Sequence, residues 1–537
     1  MNAPGVLAAA PPKTNKWLVT LSVSFGTLMG TIDASIVNVA LTHIRGTVGA
    51  TVEEITWIST GFAVATILVM PLTAFLGRLF GQKRVYMASL VLFLAGSALC
   101  GLARSLESLV IFRIIQGLGA GALQPTEQAI LRQTFPPKEQ GMAMALFALA
   151  ILIGPAFGPT LGGWIVDHYA WPWIFYINLP IGALGLMMVA TFVHEPEDIL
   201  EANRKAAVMV RKNLDWIGIA LLAVGLGALQ YVLEEGNRND WFESRRITAM
   251  ALTAVVALAG FAIRELTAVA PAVDLTLFKD RVFLSGTMVG GLMFAMLMSL
   301  TFLLPVFMQE LLGFTAMQSG MSLMPRTLVM MVLIPVIGRM YNRLSPQLLV
   351  VLGVGAFVTS AMMMGHYTLE TSAGGVVAAL VVQGVGFACL MVPINTLALA
   401  QVPRHKLTDA TGLNSLIRQV GGSIGLAVFA TLLSRFGVVA RASVGQHLTT
   451  TDANVNARLS AVANGLAQRG LDPVSAQGAA IRMMSGLVSR QAMVLAFERL
   501  FIFAGLCFLL VLPLVYFLRR PGTVPVPARP AELHVEM

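Results

Sequence analysis

Charged and amide side chains lie inside several strongly apolar stretches of this chain, where lipid makes an unpartnered charge costly and a functional role is the usual reason for keeping one. Asp33 is well inside the first stretch, and Ser22, Gly26 and Met29 share its helical face. A carboxylate that lines a cavity can take up and release a proton or attract a cationic substrate. The alternative is a hydrogen-bonded aspartate with a structural role.

The stretch 107–131 has the clearest polar pattern. Gln116, Gln124 and Glu127 fall within about 60° of Arg113 on one helical face, which we expect to line the protein interior. Arg113 and Glu127 are about 21 Å apart along the axis and cannot pair directly. Glu127 is a candidate proton or cation site, or else a side chain that snorkels to the inner headgroups. Arg113 would tune a nearby carboxylate or anchor a neighbouring helix.

Two more arginines, Arg326 and Arg418, lie inside apolar stretches of the second half of the chain. Each needs a partner, which could be a carboxylate, backbone carbonyls or an anionic substrate. Structural anchoring is favoured over substrate contact. The candidates for a substrate pathway are Met29, Gln116, Gln124, Arg326, Asn395 and Arg418.

The stretch 154–163 combines glycine and proline. Glycines spaced four residues apart make a flat seam for close helix packing, and prolines bend a helix. Packing is the default interpretation, and a moving, kinked gate is the alternative. The residues concerned are Gly154, Pro155, Gly158, Pro159, Gly162 and Gly163.

These residues must be positioned by membrane helices, because the chain is too apolar to cover itself with a water-facing surface. Of its 537 residues, 56% are hydrophobic and 12% are charged, against about 25% charged in soluble domains. Fourteen stretches approach the length of about 20 residues that crosses a bilayer, and none alternates like a barrel strand. They are 17–41, 54–76, 84–103, 107–131, 141–166, 172–193, 214–234, 247–266, 282–311, 316–338, 347–366, 374–401, 409–435 and 496–518.

Positive charge is distributed unevenly between the short loops, which predicts the orientation. With the amino terminus in the cytoplasm, most loop lysines and arginines fall on the cytoplasmic side, and both termini lie there. The net charge of +9 therefore indicates orientation, and without a basic stripe or a recognised motif it does not predict nucleic-acid binding.

Short motifs recur in order along the chain. Residues 76–80 and 337–341 both end an apolar stretch with Gly-Arg, and residues 115–119 and 382–386 share a Gln-Gly pair. The offsets are nearly equal, which predicts two similar six-helix halves around a central cavity.

The predicted organisation follows from these repeats. The halves are 17–193 and 282–518, the linker 194–281 carries two inserted helices, and the tails 1–16 and 519–537 are cytoplasmic. A long periplasmic segment within the second half, 436–495, is expected to form one or two amphipathic helices on the outer face.

Enzyme and ATP-driven classes are disfavoured, because the chain has neither GxxxxGK[ST] nor HExxH. No cofactor or metal is predicted. Cys100, Cys389 and Cys507 lie far apart in apolar stretches and are interpreted as small hydrophobic residues.

The chain resembles a known family: the fourteen-helix drug/proton antiporter branch of the major facilitator superfamily, and within it the EmrB-like multidrug exporters. The residues from Asp33 to Leu41 match the first-helix motif, except that Thr42 replaces the usual proline. Arg113-Ile-Ile-Gln-Gly matches the fourth-helix motif, whose arginine the family associates with proton coupling. The 154–163 stretch and Arg418-Gln-Val-Gly-Gly-Ser also resemble motifs of the branch.

The loop after the second stretch departs from the family pattern. Arg78 stands where an aspartate is expected, which puts any charge latch based on that aspartate in doubt, while Gly81, Lys83 and Arg84 match. The resemblance further implies a bacterial inner membrane, a periplasmic adaptor (a membrane fusion protein) and an outer-membrane channel.

The leading hypothesis is a proton-coupled antiporter that exports hydrophobic and amphipathic drugs across the inner membrane, with Asp33, Arg113 and Glu127 as proton-coupling candidates. The first alternative is a dedicated exporter or importer of one physiological solute, such as a siderophore, fatty acid or metabolite. The second is a membrane scaffold or sensor that transports nothing, which the polar stripe disfavours.

Overall fold

The computed structural model describes residues 15–195, 200–201, 207, 215–268, 271–341, 343–446 and 452–515. Residues 1–14 of the predicted amino-terminal tail, the whole predicted carboxyl-terminal tail 519–537 and most of 196–214 lie outside the described residues. The described residues form helices joined by turns and short loops. Among them, 14 helices are long and apolar enough to cross a membrane. This confirms the predicted all-helical class and the number of membrane helices.

Fifteen long helices make up the described chain. They are α1 (Lys16–Val48), α2 (Trp57–Phe80), α3 (Gln82–Leu102), α4 (Leu106–Thr134), α5 (Gln140–His168), α6 (Asn178–Phe192), α7 (Trp216–Glu235), α8 (Arg245–Thr267), α9 (Arg281–Val306), α10 (Ala316–Met340), α11 (Pro346–Met364), α12 (Ala373–Leu397), α13 (Leu407–Gln446), α14 (Ala453–Ala467) and α15 (Pro473–Leu509). Short helical segments at Val52–Ile55, Trp173–Tyr176, Phe307–Leu311 and Val511–Val515 flank them.

Polar residues set several of the helix starts. The side chains of Ser105, Thr315, Ser345 and Asp472 each accept a hydrogen bond from an amide in the first turn of the helix that follows. These caps satisfy backbone donors that would otherwise be unpaired where a membrane helix begins.

The two halves pack alike. Helix α1 packs on α5 and α2 on α4, and correspondingly α9 packs on α13 and α10 on α12. The halves meet through α5 with α10 and through α2 with α13, while the inserted helices α7 and α8 pair with each other and α7 leans on α2.

The repeated Gln-Gly motif explains part of this similarity. A Cβ on Gly117 would meet the Phe62 carbonyl oxygen of α2 at 2.5 Å, and one on Gly384 would meet the Arg326 carbonyl oxygen of α10 at 2.7 Å. Glycine at the equivalent position of each half therefore allows equivalent helices to approach backbone to backbone.

Among the described residues of the segment 436–495, α14 is the one separate helix. The described remainder is the end of α13 and the start of α15, which continue past the ends of their predicted apolar stretches. A helix needs no apolar surface to continue once its backbone bonds are formed, so the apolar length predicted helices that are too short.

Candidate functional site

Asp33 of α1 lies at the centre of a buried hydrogen-bonded group, the Asp33 cluster. Nη1 of Arg113 donates to Asp33 Oδ2 at 2.5 Å. Nε2 of Gln116 and Nδ2 of Asn178 each donate to Asp33 Oδ1 at 2.9 Å. Both amides also donate to the hydroxyl of Ser97. All five side chains are buried, so α1, α3, α4 and α6 meet at one polar point.

The guanidinium of Arg113 has further partners. It lies 4.0 Å from the ring centroid of Phe62, and its Nε donates to the carbonyl of Ile58 at 3.3 Å. In a buried ion pair each charge compensates the other. Removal of one member leaves the other charge buried without a partner, which costs about 3–5 kcal/mol. The structure thus places Arg113 beside a carboxylate and bonds it to a neighbouring helix, and its part in proton coupling stays a prediction.

Glu127 lies in a second buried site on α4. Ser24 Oγ donates to Glu127 Oε1 at 2.9 Å, and Oε2 has no hydrogen-bond partner among the described residues. The side chain is 0% exposed, so it does not extend to the surface as a snorkelling residue would. Ser24 and Asp33 are nine positions apart on α1, which separates the two carboxyl groups by about 14 Å in depth.

Two other pathway candidates join neither site. Gln124 is half-buried on α4, and Met29 is buried where its sulfur would lie 2.9 Å from a Cβ on Gly182 of α6. Met29 therefore packs between helices of one half.

The glycines of 154–163 form a seam against α1. Cβ atoms on Gly154 and Gly158 would collide with Thr31 and Ser35, and one on Gly162 would lie 3.1 Å from Ile36. Gly163 differs from these three glycines, because a Cβ on it would meet no neighbouring atom within 4 Å. Pro155 and Pro159 are exposed. This geometry supports the packing interpretation, and a gating role remains a hypothesis.

Arg326 of α10 is buried, and no carboxylate pairs with it in the described part of the chain. Its Nη1 donates to Gln383 Oε1 at 3.1 Å, and its Nη2 donates to Thr301 Oγ1 at 3.2 Å. It lines a cleft between the halves, to which α5 contributes Leu152 and Pro155.

Arg418 of α13 is in a similar position. Its Nη1 donates to Asn395 Oδ1 at 3.2 Å, and Nε has no hydrogen-bond partner among the described residues. The guanidinium lies 4.9 Å from the ring centroid of Phe294 in its own half and 5.7 Å from that of Phe147 in the other. No ion pair to Arg326 or Arg418 occurs in the described part of the chain.

Of the motif residues Gly81, Lys83 and Arg84, Lys83 bonds to the end of α6 and to Glu195 just beyond it. Gly81 has a φ of 88°, which favours glycine. The Lys83 amide donates to Glu195 Oε1 at 2.5 Å and its ammonium to the Ala190 carbonyl at 2.7 Å, while Arg84 is exposed. Burial raises the pKa of Glu195, and its bond to the Lys83 amide and the nearby charges of Arg84 and Lys83 offset this only in part.

Arg78, where the family pattern has an aspartate, connects the two halves. Its Nη1 donates to Asp409 Oδ1 of α13 at 3.0 Å, which we call the interhalf ion pair. Its Nη2 donates to the carbonyls of Pro271 and Ala272, in the connector between α8 and α9. An ion pair thus exists at this loop with a basic residue on α2 and the acidic residue on α13.

A second contact ties the same connector to α13. The ammonium of Lys406 donates to Asp274 Oδ2 at 2.6 Å. Partial burial opposes ionisation of Asp274, but its hydrogen bonds from Lys406 and Thr276 outweigh burial and hold the pKa of this carboxyl below its usual value.

Sequence reasoning missed several of these partners. Asn178 and Ser97 are single polar residues in α6 and α3, and Asp409 is the acidic residue at the start of α13. Each was visible as a polar residue inside or beside an apolar stretch, which is the only signal that could have drawn attention to them.

A bundle of fourteen candidate membrane helices in two similar halves, with charged groups buried inside each half and between them, is the architecture of a multi-pass membrane transporter. The chain belongs to the Major Facilitator Superfamily, whose family model matches residues 23–426.

Its relatives include exporters. The chain is 33% identical to the fatty acid resistance protein FarB of Neisseria gonorrhoeae, over 94% of this chain and 96% of the relative. It is 32% identical to the multidrug export protein EmrB of Escherichia coli K12, over 94% of this chain and 95% of the relative. The resemblance to EmrB-like multidrug exporters is thereby confirmed.

Among solved structures, the proton:xylose symporter XylE matches 93% of this chain and 96% of its own with a TM-score of 0.59 and 14% identity. A likeness at this identity supports the fold alone.

Proposed function

We propose that this chain is a proton-coupled antiporter that exports hydrophobic and amphipathic compounds across the bacterial inner membrane, with both termini in the cytoplasm. The observation that carries the proposal is Glu127, a fully buried carboxyl group with one hydroxyl donor and no cationic partner among the described residues. An isolated buried charge is costly, so such a group holds a proton while its site is closed and releases it when the site opens to water.

The Asp33 cluster has a different part in this proposal. Asp33 is paired with Arg113 and accepts two amide bonds, so its charge is balanced without a proton. It joins α1, α4 and α6 above the Glu127 site and transmits movement between them. Glu127 is therefore the proton carrier, and Asp33 with Arg113 positions the helices around it.

A flux measurement tests the coupling. The purified protein is reconstituted into vesicles with an imposed pH gradient, and ethidium and decanoate are added in turn while a pH-sensitive dye reports the gradient. Either compound should dissipate the gradient with the wild type, but not with Glu127→Gln, whereas Arg441→Gln, at an exposed position on α13, should behave as the wild type. Full dissipation by Glu127→Gln would remove Glu127 from the coupling role.

A dedicated exporter of one solute is the second candidate. A relative named for fatty acid resistance matches 94% of this chain, the same share that the multidrug exporter EmrB matches. Competition within a panel of unrelated drugs separates the two: mutual competition favours a multidrug exporter, and its absence favours the dedicated one.

We also propose that the exporter works with a periplasmic adaptor and an outer-membrane channel, with α14 and the adjoining ends of α13 and α15 as the contact surface. The alternative is a helical cap that seals the bundle. A chain in which a short Gly-Ser loop replaces Ala453–Ala467 should lose co-purification with the adaptor and keep flux in vesicles. A cap predicts leaky vesicles and intact co-purification.

A further inference from the structure

The carboxyl-terminal half buries two guanidinium cations that have no counter-charge among the described residues. Arg326 is 5% exposed and Arg418 is 3% exposed. Their partners within the described residues are the neutral oxygens of Gln383, Thr301 and Asn395. Neutral acceptors satisfy donors, but they leave the net charge uncompensated in a medium where charge is poorly screened.

Other buried or half-buried arginines of the same chain have different partners. Arg113 faces Asp33, and Arg78 faces Asp409. Arg132 is a partial exception, because it donates to the backbone carbonyl of Leu399 at the interface between halves. Only Arg326 and Arg418 are both deep within membrane helices and satisfied by neutral side chains alone, among the residues the structure describes.

Both cations face the interface between the halves, where a transported molecule has to pass. Arg326 shares its cleft with Leu152 and Pro155 of α5 and with Met298 of α9. Arg418 faces the ring of Phe147, also on α5. The lining is apolar and includes flexible methionine, which adapts to varied shapes.

The two cations lie at different depths along that interface. Their contacts on α9, Thr301 and Phe294, are seven residues apart, and their contacts on α12, Gln383 and Asn395, are twelve residues apart. These separations correspond to about 10–18 Å along the helix axes. A head group could thus meet the two cations one after the other as a molecule moves along the interface.

We propose that Arg326 and Arg418 are successive binding sites for the head group of amphipathic monoanions, such as carboxylates with an apolar tail. This inference rests on the proposed export function, because it names the class of compound that the transporter carries. The head group would supply the missing counter-charge, bound by guanidinium hydrogen bonds, while the tail lies against the apolar lining of the cleft. A neutral or cationic compound of the same length gains no such ion pair.

Binding to the purified protein in nanodiscs of zwitterionic lipid tests this directly. The probes are decanoate, 1-decanol and decylammonium, which share one chain length and differ in charge, measured by calorimetry in chloride-free buffer at pH 7.5. Decanoate should bind at least about tenfold more tightly than either of the others, since a charge-assisted hydrogen bond contributes about 1.5–3 kcal/mol.

Variants assign the effect to the two residues. Arg326→Gln and Arg418→Gln should each weaken decanoate binding about tenfold and change decanol binding less than about twofold. Arg418→Lys should keep part of the affinity, because it keeps the charge but not the fork of donors. Arg246→Gln, at an exposed position on α8, is the matched surface control, and thermal unfolding of each variant verifies that it is folded.

Three results would overturn the inference. Equal affinity for all three probes would show that charge is not selected. Parallel loss of decanoate and decanol binding, with a lowered unfolding temperature, would show that the arginines are structural anchors. Displacement of decanoate by millimolar chloride or phosphate at equal strength would assign the site to a small inorganic anion.

The outcome is separable from that of the proposed function, because binding is measured without a proton gradient. Arg-dependent decanoate binding without any proton movement in vesicles would retain the inference and reject coupling. Ethidium-driven proton movement without Arg-dependent decanoate binding would retain proton coupling and reject the inference.

Discussion

The two halves share a helix arrangement but bury charge in different ways. In the amino-terminal half, Arg113 is neutralised by Asp33 and one additional carboxyl group, Glu127, stands alone. In the carboxyl-terminal half, Arg326 and Arg418 are buried with neutral partners only among the described residues. A repeated scaffold can therefore carry an excess of acid on one side and an excess of base on the other. We infer that the first half exchanges protons and the second binds the substrate.

The largest effect is expected when the first half is made to resemble the second. Asp33→Asn leaves Arg113 without a counter-charge and should lower the free energy of unfolding by about 3–5 kcal/mol. Thermal unfolding of the purified protein measures this. Asp33→Asn combined with Arg113→Gln should recover part of the loss, and a stable single variant would mean that the pair is not needed for folding.

The converse change should have the opposite sign. Arg418→Met replaces an uncompensated buried cation by an apolar side chain of similar length, which should leave stability unchanged or raise it by up to about 4 kcal/mol. Decanoate binding should weaken in the same variant. Strong destabilisation would indicate that Arg418 anchors α13 to Asn395, and that the contrast with Arg113 is wrong.

A smaller effect, of the same size in both halves, is expected at the glycine seams, of which each half has one. Gly154 of α5 abuts Thr31 of α1, and Gly425 of α13 abuts Ala295 of α9, both against backbone atoms. Alanine at either position should destabilise by about 1–3 kcal/mol through overpacking. Gly163→Ala, which meets open space, is the control and should be neutral or stabilising. Unequal losses in thermal unfolding would show that the seams are not equivalent.

The smallest effect is expected where the halves touch. Arg78→Ala removes the interhalf ion pair and the bonds to the connector carbonyls. Arg78 is one-fifth exposed, which weakens the pair, but Asp409 is only 6% exposed and loses its partner, so the loss should be about 1–2 kcal/mol. Exchange of the charges, Arg78→Asp with Asp409→Arg, should restore part of the stability lost in Arg78→Asp. Arg84→Ala, at an exposed neighbour, is the control. No recovery in the exchanged pair would argue that the carbonyl bonds alone matter.

Much of this fold could be predicted from the sequence, because membrane helices are specified locally by apolar length. The stripe on α4 likewise predicted which face of that helix is interior, and Arg113 and Gln116 do meet Asp33. The paired Gln-Gly motifs predicted equivalent contacts in both halves, and Gly117 and Gly384 make them.

The partners of the buried polar residues could not be predicted, because they depend on which helices are neighbours. Helical spacing within one segment holds no information about its neighbours. Asn178 reaches Asp33 across 145 positions of sequence, and Arg78 reaches Asp409 across 331. The same limit applied to Arg326 and Arg418, for which the sequence left a carboxylate, a carbonyl or a substrate as possible partners. The observed partners are neutral side chains, and this observation is the basis of our proposal of an anionic substrate.

The most direct test of this division of labour is proton release on substrate binding. Decanoate is added to the purified protein in weakly buffered solution at pH 7.5, and the pH change is recorded together with binding heat. The wild type should release protons as decanoate binds, and Glu127→Gln should bind decanoate with similar affinity and release none. If Glu127→Gln releases as many protons as the wild type, the amino-terminal half does not exchange protons through Glu127 and the account is contradicted.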